Sequence, residues 1–264
     1  MKNILLSIAA FLLSGLNISA SVAQETSRQA VPVPQVTDQW RFSVTPYLWL
    51  LNVNGQVNYK DNPIIDSRIG TAELLSKLQF GAMAVAEVHK GSWGFAANLL
   101  YSRLQDQGTQ MRGQVDLGSS TNMSLGIYNL AATYTLYSSP QVYLDGMVGV
   151  RIFANSATTD VNVVGAPQGL SLSSNTTITN PIVGVKGRVR ISDSDYFVPF
   201  YIDVGGGVDG TQVTTQGIIG IGKAYDWGDL SLNFNNIYYK TKAGNTTTSL
   251  DFYCLLYTSD AADE

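Results

Sequence analysis

Three cations occupy alternate positions in the segment PIVGVKGRVRI, Pro181 to Ile191: Lys186, Arg188 and Arg190. Side chains two residues apart share one face of a strand, so this row could either guide an anion or hold carboxylates. Candidate partners of the right sign are Glu87, Asp145 and Asp203, and Arg151 adds a fourth cation. Hydrolytic chemistry would need a serine or acid beside a histidine. The only histidine is His89, next to the turn-forming Lys90-Gly91-Ser92, and no Ser/His/Asp placement makes a defensible triad. With one cysteine, Cys254, and no His/Cys cluster, neither a metal site nor a cofactor is expected. A formal charge of −4 and the lack of a basic run argue against a nucleic-acid partner.

The elements that carry these residues read as strands of a closed sheet in a membrane. In PIVGVKGRVRI, Val183, Val185, Val189 and Ile191 alternate with Gly184 and the three cations. A cation turned to lipid at mid-depth costs about 2 to 4 kcal/mol, so the cationic face must be the lumen. The same alternation sends Val142, Leu144, Val148, Val150 and Ile152 outward, with Asp145 and Arg151 inward. Val198, Phe200, Ile202 and Val204 likewise face out, with Tyr201 and Asp203 inward; Glu87, His89, Asn98 and Ser102 are assigned to the lumen from earlier strands. A small barrel is filled by its own side chains. Glu87, Asp145 and Asp203 are therefore expected to pair with Arg151, Lys186, Arg188 and Arg190, forming a polar plug or, alternatively, lining an ion path.

Composition supports the same class. The chain is 45% hydrophobic and 14% charged, with 25 glycines and 14 tyrosines, which is charge-poor and tyrosine-rich for a soluble domain. Lys2, the apolar run Ile4 to Leu16 and the small-x-small site Ser21-Val22-Ala23 read as a signal peptide, residues 1–23, with a mature start at Gln24. No cysteine lies at that site, so no lipid anchor is expected. Residues 24–39 read as a periplasmic leader outside the barrel, and residues 40–253 as the barrel. After the leader no apolar run is long enough for a transmembrane helix. Spanning falls to strands, which must close to satisfy their backbone groups in lipid.

Short turns are read at His89 to Ser92, Ser138 to Gln141, Ser192 to Asp195 and Asp226 to Asp229; long connections rich in Gly, Ser, Thr and Asn are read at 52–77, 105–121 and 158–177. Outer-membrane barrels keep short turns in the periplasm and long loops outside. The resulting fold is an all-β antiparallel transmembrane barrel with strands near 40–51, 78–89, 93–104, 122–137, 141–157, 178–191, 196–208, 211–225 and 229–241, and a final strand from about Thr247. Ten strands are favoured, with eight or twelve as alternatives. Trp40, Trp93, Tyr137, Tyr143, Tyr196, Tyr225 and Trp227 fall near the short turns or the leader and are assigned to a periplasmic aromatic girdle; Trp49, Tyr101, Tyr238 and Tyr239 fall toward the other rim. A phase shift near Ile127-Tyr128 suggests a bulge. Thr71, Leu74, Leu75 and Leu78 suggest one or two helical turns packed on the outer rim, or else a constriction of the mouth.

The segments PYLW (Pro46 to Trp49), the helical dip Leu74 to Leu78, KGSWG (Lys90 to Gly94), VGVR (Val148 to Arg151), VGVKGR (Val183 to Arg188) and IDVGG (Ile202 to Gly206) together resemble a family of small Gram-negative outer-membrane barrels of unassigned function. The resemblance runs from about Trp40 to Tyr239 and implies an inward arginine where this chain has Ile237, and a complete, aromatic-ended last strand. The final string CLLYTSDAADE, residues 254–264, resembles one reading frame of a common transposon-based sequencing adaptor. That resemblance implies a gene interrupted inside or just after Phe252-Tyr253, and a damaged seam between the last strand and residues 40–51.

The function expected from these readings is non-enzymatic: an outer-membrane barrel with a charged, filled lumen and a structural or loop-mediated binding role. A narrow pore with anion bias from Lys186, Arg188 and Arg190 is the alternative, and an outer-membrane enzyme a distant third. Outer-membrane lipid, periplasmic chaperones and the barrel-assembly machinery are the expected partners. The loops name no ligand.

Overall fold

The computed structural model describes residues 33–60, 62–112, 115–163 and 170–261. The signal peptide and most of the leader lie outside these residues. Eleven strands form one antiparallel sheet: β1 Arg41–Tyr59, β2 Asn62–Ile69, β3 Leu78–Lys90, β4 Trp93–Arg112, β5 Val115–Ser138, β6 Val142–Val163, β7 Leu170–Arg190, β8 Tyr196–Gly205, β9 Thr211–Tyr225, β10 Gly228–Ala243 and β11 Thr246–Ala261. Among the described residues one helix, α1, spans Thr71–Lys77 between β2 and β3.

From β3 to β11 each strand pairs with the next, and β11 returns to β1 from Tyr47↔Thr258 to Tyr59↔Thr246. On its other edge β1 is shared. Arg41 to Pro46 pair with β3, and Val53 to Tyr59 pair with β2. β2 and β3 thus occupy one position in the wall, so the eleven strands make a closed barrel of ten staves. Closure satisfies strand edges along most of the wall, as a lipid setting requires. At the periplasmic end Arg41 to Pro46 pair with β3 alone and Ser259 to Ala261 with β10 alone.

The exterior is apolar in a band. Val44, Phe95, Leu136, Val148, Val183, Ile202, Ile219, Leu232 and Leu255 are all exposed on its surface. A soluble sandwich would bury such residues; here their solvent is hydrocarbon. Of the girdle residues, Trp40, Trp93, Tyr137, Tyr196 and Trp227 are exposed near the short turns, and Tyr225 stacks on Trp227 at 5.4 Å. Tyr143 departs from this assignment: it is 5% exposed and points into the lumen. It shares strand parity with Asp145, and a period of two leaves it no other face. Tyr239 turns inward for the same reason, since Tyr238 beside it faces out. The side chain of Trp49 lies outside the described residues.

The connections read as 105–121 and 158–177 are largely strand. β4, β5, β6 and β7 run 20, 24, 22 and 21 residues, where about 9 to 11 suffice to cross a membrane. The surplus forms a sheet that projects beyond the apolar band. Thr, Ser and Asn read as loop residues, yet Thr suits a pleated surface, and the ladder with its cross-strand pairs, such as Thr121 with Thr159 at 3.1 Å, keeps the backbone ordered. The expected bulge near Ile127 is absent from the β5–β6 register; the shift lies between Thr135 and Tyr137. There the extra residue lets both Leu136 and Tyr137 face lipid, while Gly126 leaves the space that the Tyr128 ring fills.

Residues 33–40 form no strand but are held at the periplasmic mouth. Val33 is buried, Thr37 O accepts from the Gly91 amide, and Gln35 O accepts from the inward-facing Arg41. At the other end of the chain, β11 continues through Cys254 with unbroken alternation: Cys254 and Leu256 are buried in the lumen, and Leu255 and Tyr257 face out. The ladder of β11 with β1 runs from Tyr47↔Thr258 to Tyr59↔Thr246 and does not extend to Arg41 to Pro46.

Candidate functional site

The lumen is built in layers, each set by one register height of the sheet. At mid-height sits Arg151 of β6, with no exposed surface. Its Nε donates to Asn129 Oδ1 at 3.0 Å, Nη1 to Thr214 Oγ1 at 3.0 Å, and Nη2 to Gln216 Oε1 at 2.8 Å and to Asp203 Oδ2. Tyr201 donates to the same carboxylate, Asn129 Nδ2 to Gln216 Oε1 at 2.9 Å, and Gln216 Nε2 to Asn235 Oδ1 at 3.1 Å. One guanidinium therefore ties β5, β6, β8 and β9 together, and Gln216 extends the tie to β10. A fork of five donors suits this role better than a single ammonium could.

Toward the periplasm lies a second polar layer. Lys186 pairs with Glu87, whose carboxylate also meets His89 Nε2 at 3.3 Å. Tyr143 lies between Thr135 Oγ1 at 3.1 Å and His89 Nδ1 at 3.4 Å, and accepts from Arg41 at 3.3 Å. Arg188 pairs with Asp229 and lies over the Phe197 ring at 4.6 Å.

The expected charge network is thus partly the observed one. Arg151 pairs with Asp203 and Lys186 with Glu87, both drawn from the expected set, which assigned no partner to any one cation. Three residues behave otherwise. Arg188 takes Asp229, at the start of β10 and outside the expected set of carboxylates. Arg190 donates to Ser194 O at 2.8 Å, closing the β7–β8 turn. Asp145 is completely buried, and neither carboxylate oxygen has a hydrogen-bond partner, although Lys186 is its ladder neighbour. The lysine instead reaches across the lumen to β3. The amides Asn129, Gln216, Asn180 and Asn235 were missed because neutral side chains leave no charge pattern; strand parity alone could have placed them.

The outer part of the lumen is apolar. Tyr47, Leu100, Leu125, Ile127, Phe153 and Tyr239 belong to a buried cluster, with Phe153 and Tyr239 rings 5.2 Å apart. Ile237, where the resemblance implies an inward arginine, is 2% exposed within this cluster. An arginine there would need a partner that this layer does not supply. α1, which joins β2 to β3, lies at the same side against β1 and β4. Thr71 Oγ1 donates to Leu51 O at 2.9 Å, and Lys77 bonds Glu73 at 3.0 Å and Asp106 at 3.1 Å. These two carboxylates, Glu73 first, hold the Lys77 amine above its usual pKa.

No protein-family model matches the chain, and no curated protein matches it. Solved structures do. The outer membrane protease OmpT of Escherichia coli superposes with a TM-score of 0.55 at 10% identity, covering 87% of this chain and 99% of that one. The fold is that of a bacterial outer-membrane β-barrel. The translocator domain of the autotransporter NalP of Neisseria meningitidis gives a TM-score of 0.40 at 11% identity, covering 97% of this chain and 95% of that one. The attachment invasion locus protein Ail of Yersinia pestis, in complex with the heparin analogue sucrose octasulfate, gives 0.35 at 10% identity, with coverage of 83% and 97%. At such identities the likeness is one of architecture: a closed antiparallel sheet with an apolar exterior.

Proposed function

We propose that this chain is a non-conducting outer-membrane barrel that works through the sheet it raises above the bilayer. The observation that carries the reading is the Arg151 network: a fully buried guanidinium, bonded to Asn129, Thr214, Gln216 and Asp203, crosses the lumen at mid-height. An ion would have to break these bonds to pass. Lys186 and Arg188, the cations that suggested an anion path, are engaged with Glu87 and Asp229. His89, the one histidine, is held by Glu87 and Tyr143 at the periplasmic end, far from the outer leaflet where a lipid hydrolase would act. The tall strands β4 to β7 make a one-sided wall suited to binding a polar partner.

Planar-bilayer recording of the purified barrel tests this. Silence is expected for the parent. Steady conductance in the parent whose ion selectivity changes in Lys186→Glu would replace the reading with a pore.

A further inference from the structure

The barrel wall has a notch. The β1–β3 ladder ends at Pro46↔Ala84, and β1 regains a partner on that edge only at Val53↔Ile69. In between, Tyr47 to Asn52 have ladder partners on β11 alone, and Leu78 to Met83 on β4 alone. Pro46 has no amide to continue the ladder. Thr71 of α1 caps the outer end, bonding Leu51 O at 2.9 Å and Asn52 Oδ1 at 3.1 Å.

The notch lies at the top of the lipid-facing band. Leu48 and Leu50 on one side and Phe80 on the other are 48%, 47% and 56% exposed. Across β11 their level is that of the outward Tyr257 and Leu255, while on β4 the partner of Phe80 is Arg103, where the apolar band ends. Behind the notch, Leu51 and Met83 pack on the buried apolar layer of the lumen, and Gly81 puts no side chain into the space. A polar hollow of about 410 Å³, lined by Lys77, Gln79, Gln105 and Asp106 among others, adjoins its outer end.

We propose that the notch is a lateral seat for an outer-leaflet lipid: its phosphate at Arg103, its ester or amide carbonyls against the open strand edges, and one acyl chain directed at Leu51 and Met83. Continuity with the lipid-covered exterior selects this occupant. Arg103 is exposed beside Tyr101, whose hydroxyl it meets at 3.4 Å, and so presents a cation at headgroup level. Backbone groups left open in hydrocarbon are costly, and carbonyl oxygens at the glycerol or sugar linkage can accept from the amides. The apolar lumen layer then receives hydrocarbon from the side, although the lumen is closed along its axis.

The test places a bimane-labelled cysteine at Met83 in a Cys254→Ser background, folded into vesicles of phosphate-bearing lipids with brominated acyl chains. Val183→Cys on the lipid face and Ile127→Cys in the lumen of β5, labelled in the same way, are the references. Quenching at Met83 close to that at Val183, and several-fold above that at Ile127, is expected; quenching no greater than at Ile127 overturns the seat. If Met83→Cys does not fold, Leu51→Cys gives the same readout. Arg103→Gln, with the brominated lipid diluted in an uncharged detergent, is expected to weaken quenching at Met83 and not at Val183; equal quenching removes the phosphate contact. Loss of quenching at Val183 as well would instead overturn the membrane-barrel reading.

Discussion

Replacing Arg151 by methionine preserves most of the side-chain volume and removes the charge that neutralises Asp203. The carboxylate is 2% exposed, and Tyr201 would be left as its principal donor. Asn129 and Gln216 retain their mutual bond at 2.9 Å, so their loss is partial. The dominant cost is the buried carboxylate without its cation, about 3 to 5 kcal/mol for breaking a buried pair. That is roughly two to four powers of ten in the folding equilibrium. Replacing both partners, Arg151→Met with Asp203→Leu, removes the charge along with its counter-charge, and such exchanges are often neutral or stabilising by about 1 to 4 kcal/mol. The double variant is therefore expected to be more stable than the single one. Equilibrium unfolding in guanidinium of the detergent-folded barrel, followed by tryptophan fluorescence and by the heat-dependent gel mobility of barrels, measures both. A loss below about 1 kcal/mol in Arg151→Met would show that the network contributes little, and a double variant as unstable as the summed singles would show that the two residues are not coupled.

Asp145→Asn is expected to leave stability unchanged or raised, because the carboxylate has no hydrogen-bond partner to lose, whereas Asp203→Asn should weaken the barrel in the same unfolding assay. Gly184→Ala should prevent formation of the heat-modifiable species, since its Cβ would lie 2.2 Å from Ile202 O and 2.7 Å from Asp203 Cβ, both in the adjoining strand. Tyr143→Phe should disturb the periplasmic layer without altering lipid exposure: quenching of tryptophan by brominated lipid should match the parent, whereas a girdle residue would change it. Long-read sequencing of the locus is expected to show a reading frame that departs from CLLYTSDAADE after Tyr253; a frame that encodes this string would make it native.

Alternation of side chains was enough to read a closed, lipid-facing barrel and an inward set of charges that includes Glu87, Arg151, Lys186, Arg188 and Asp203. The reason is physical: hydrocarbon outside and a crowded lumen inside make the period of two strict, and a charge has only one tolerable side. The same rule, applied evenly, would have turned Tyr143 and Tyr239 inward. Only the tertiary structure decided which carboxylate each cation meets, because partners across a lumen come from strands far apart in sequence; it gave Arg188 to Asp229 and left Asp145 alone. It also decided the long strands beyond the membrane, where water imposes no alternation, and the notch at Pro46, which depends on where β2 takes over from β3 along the edge of β1.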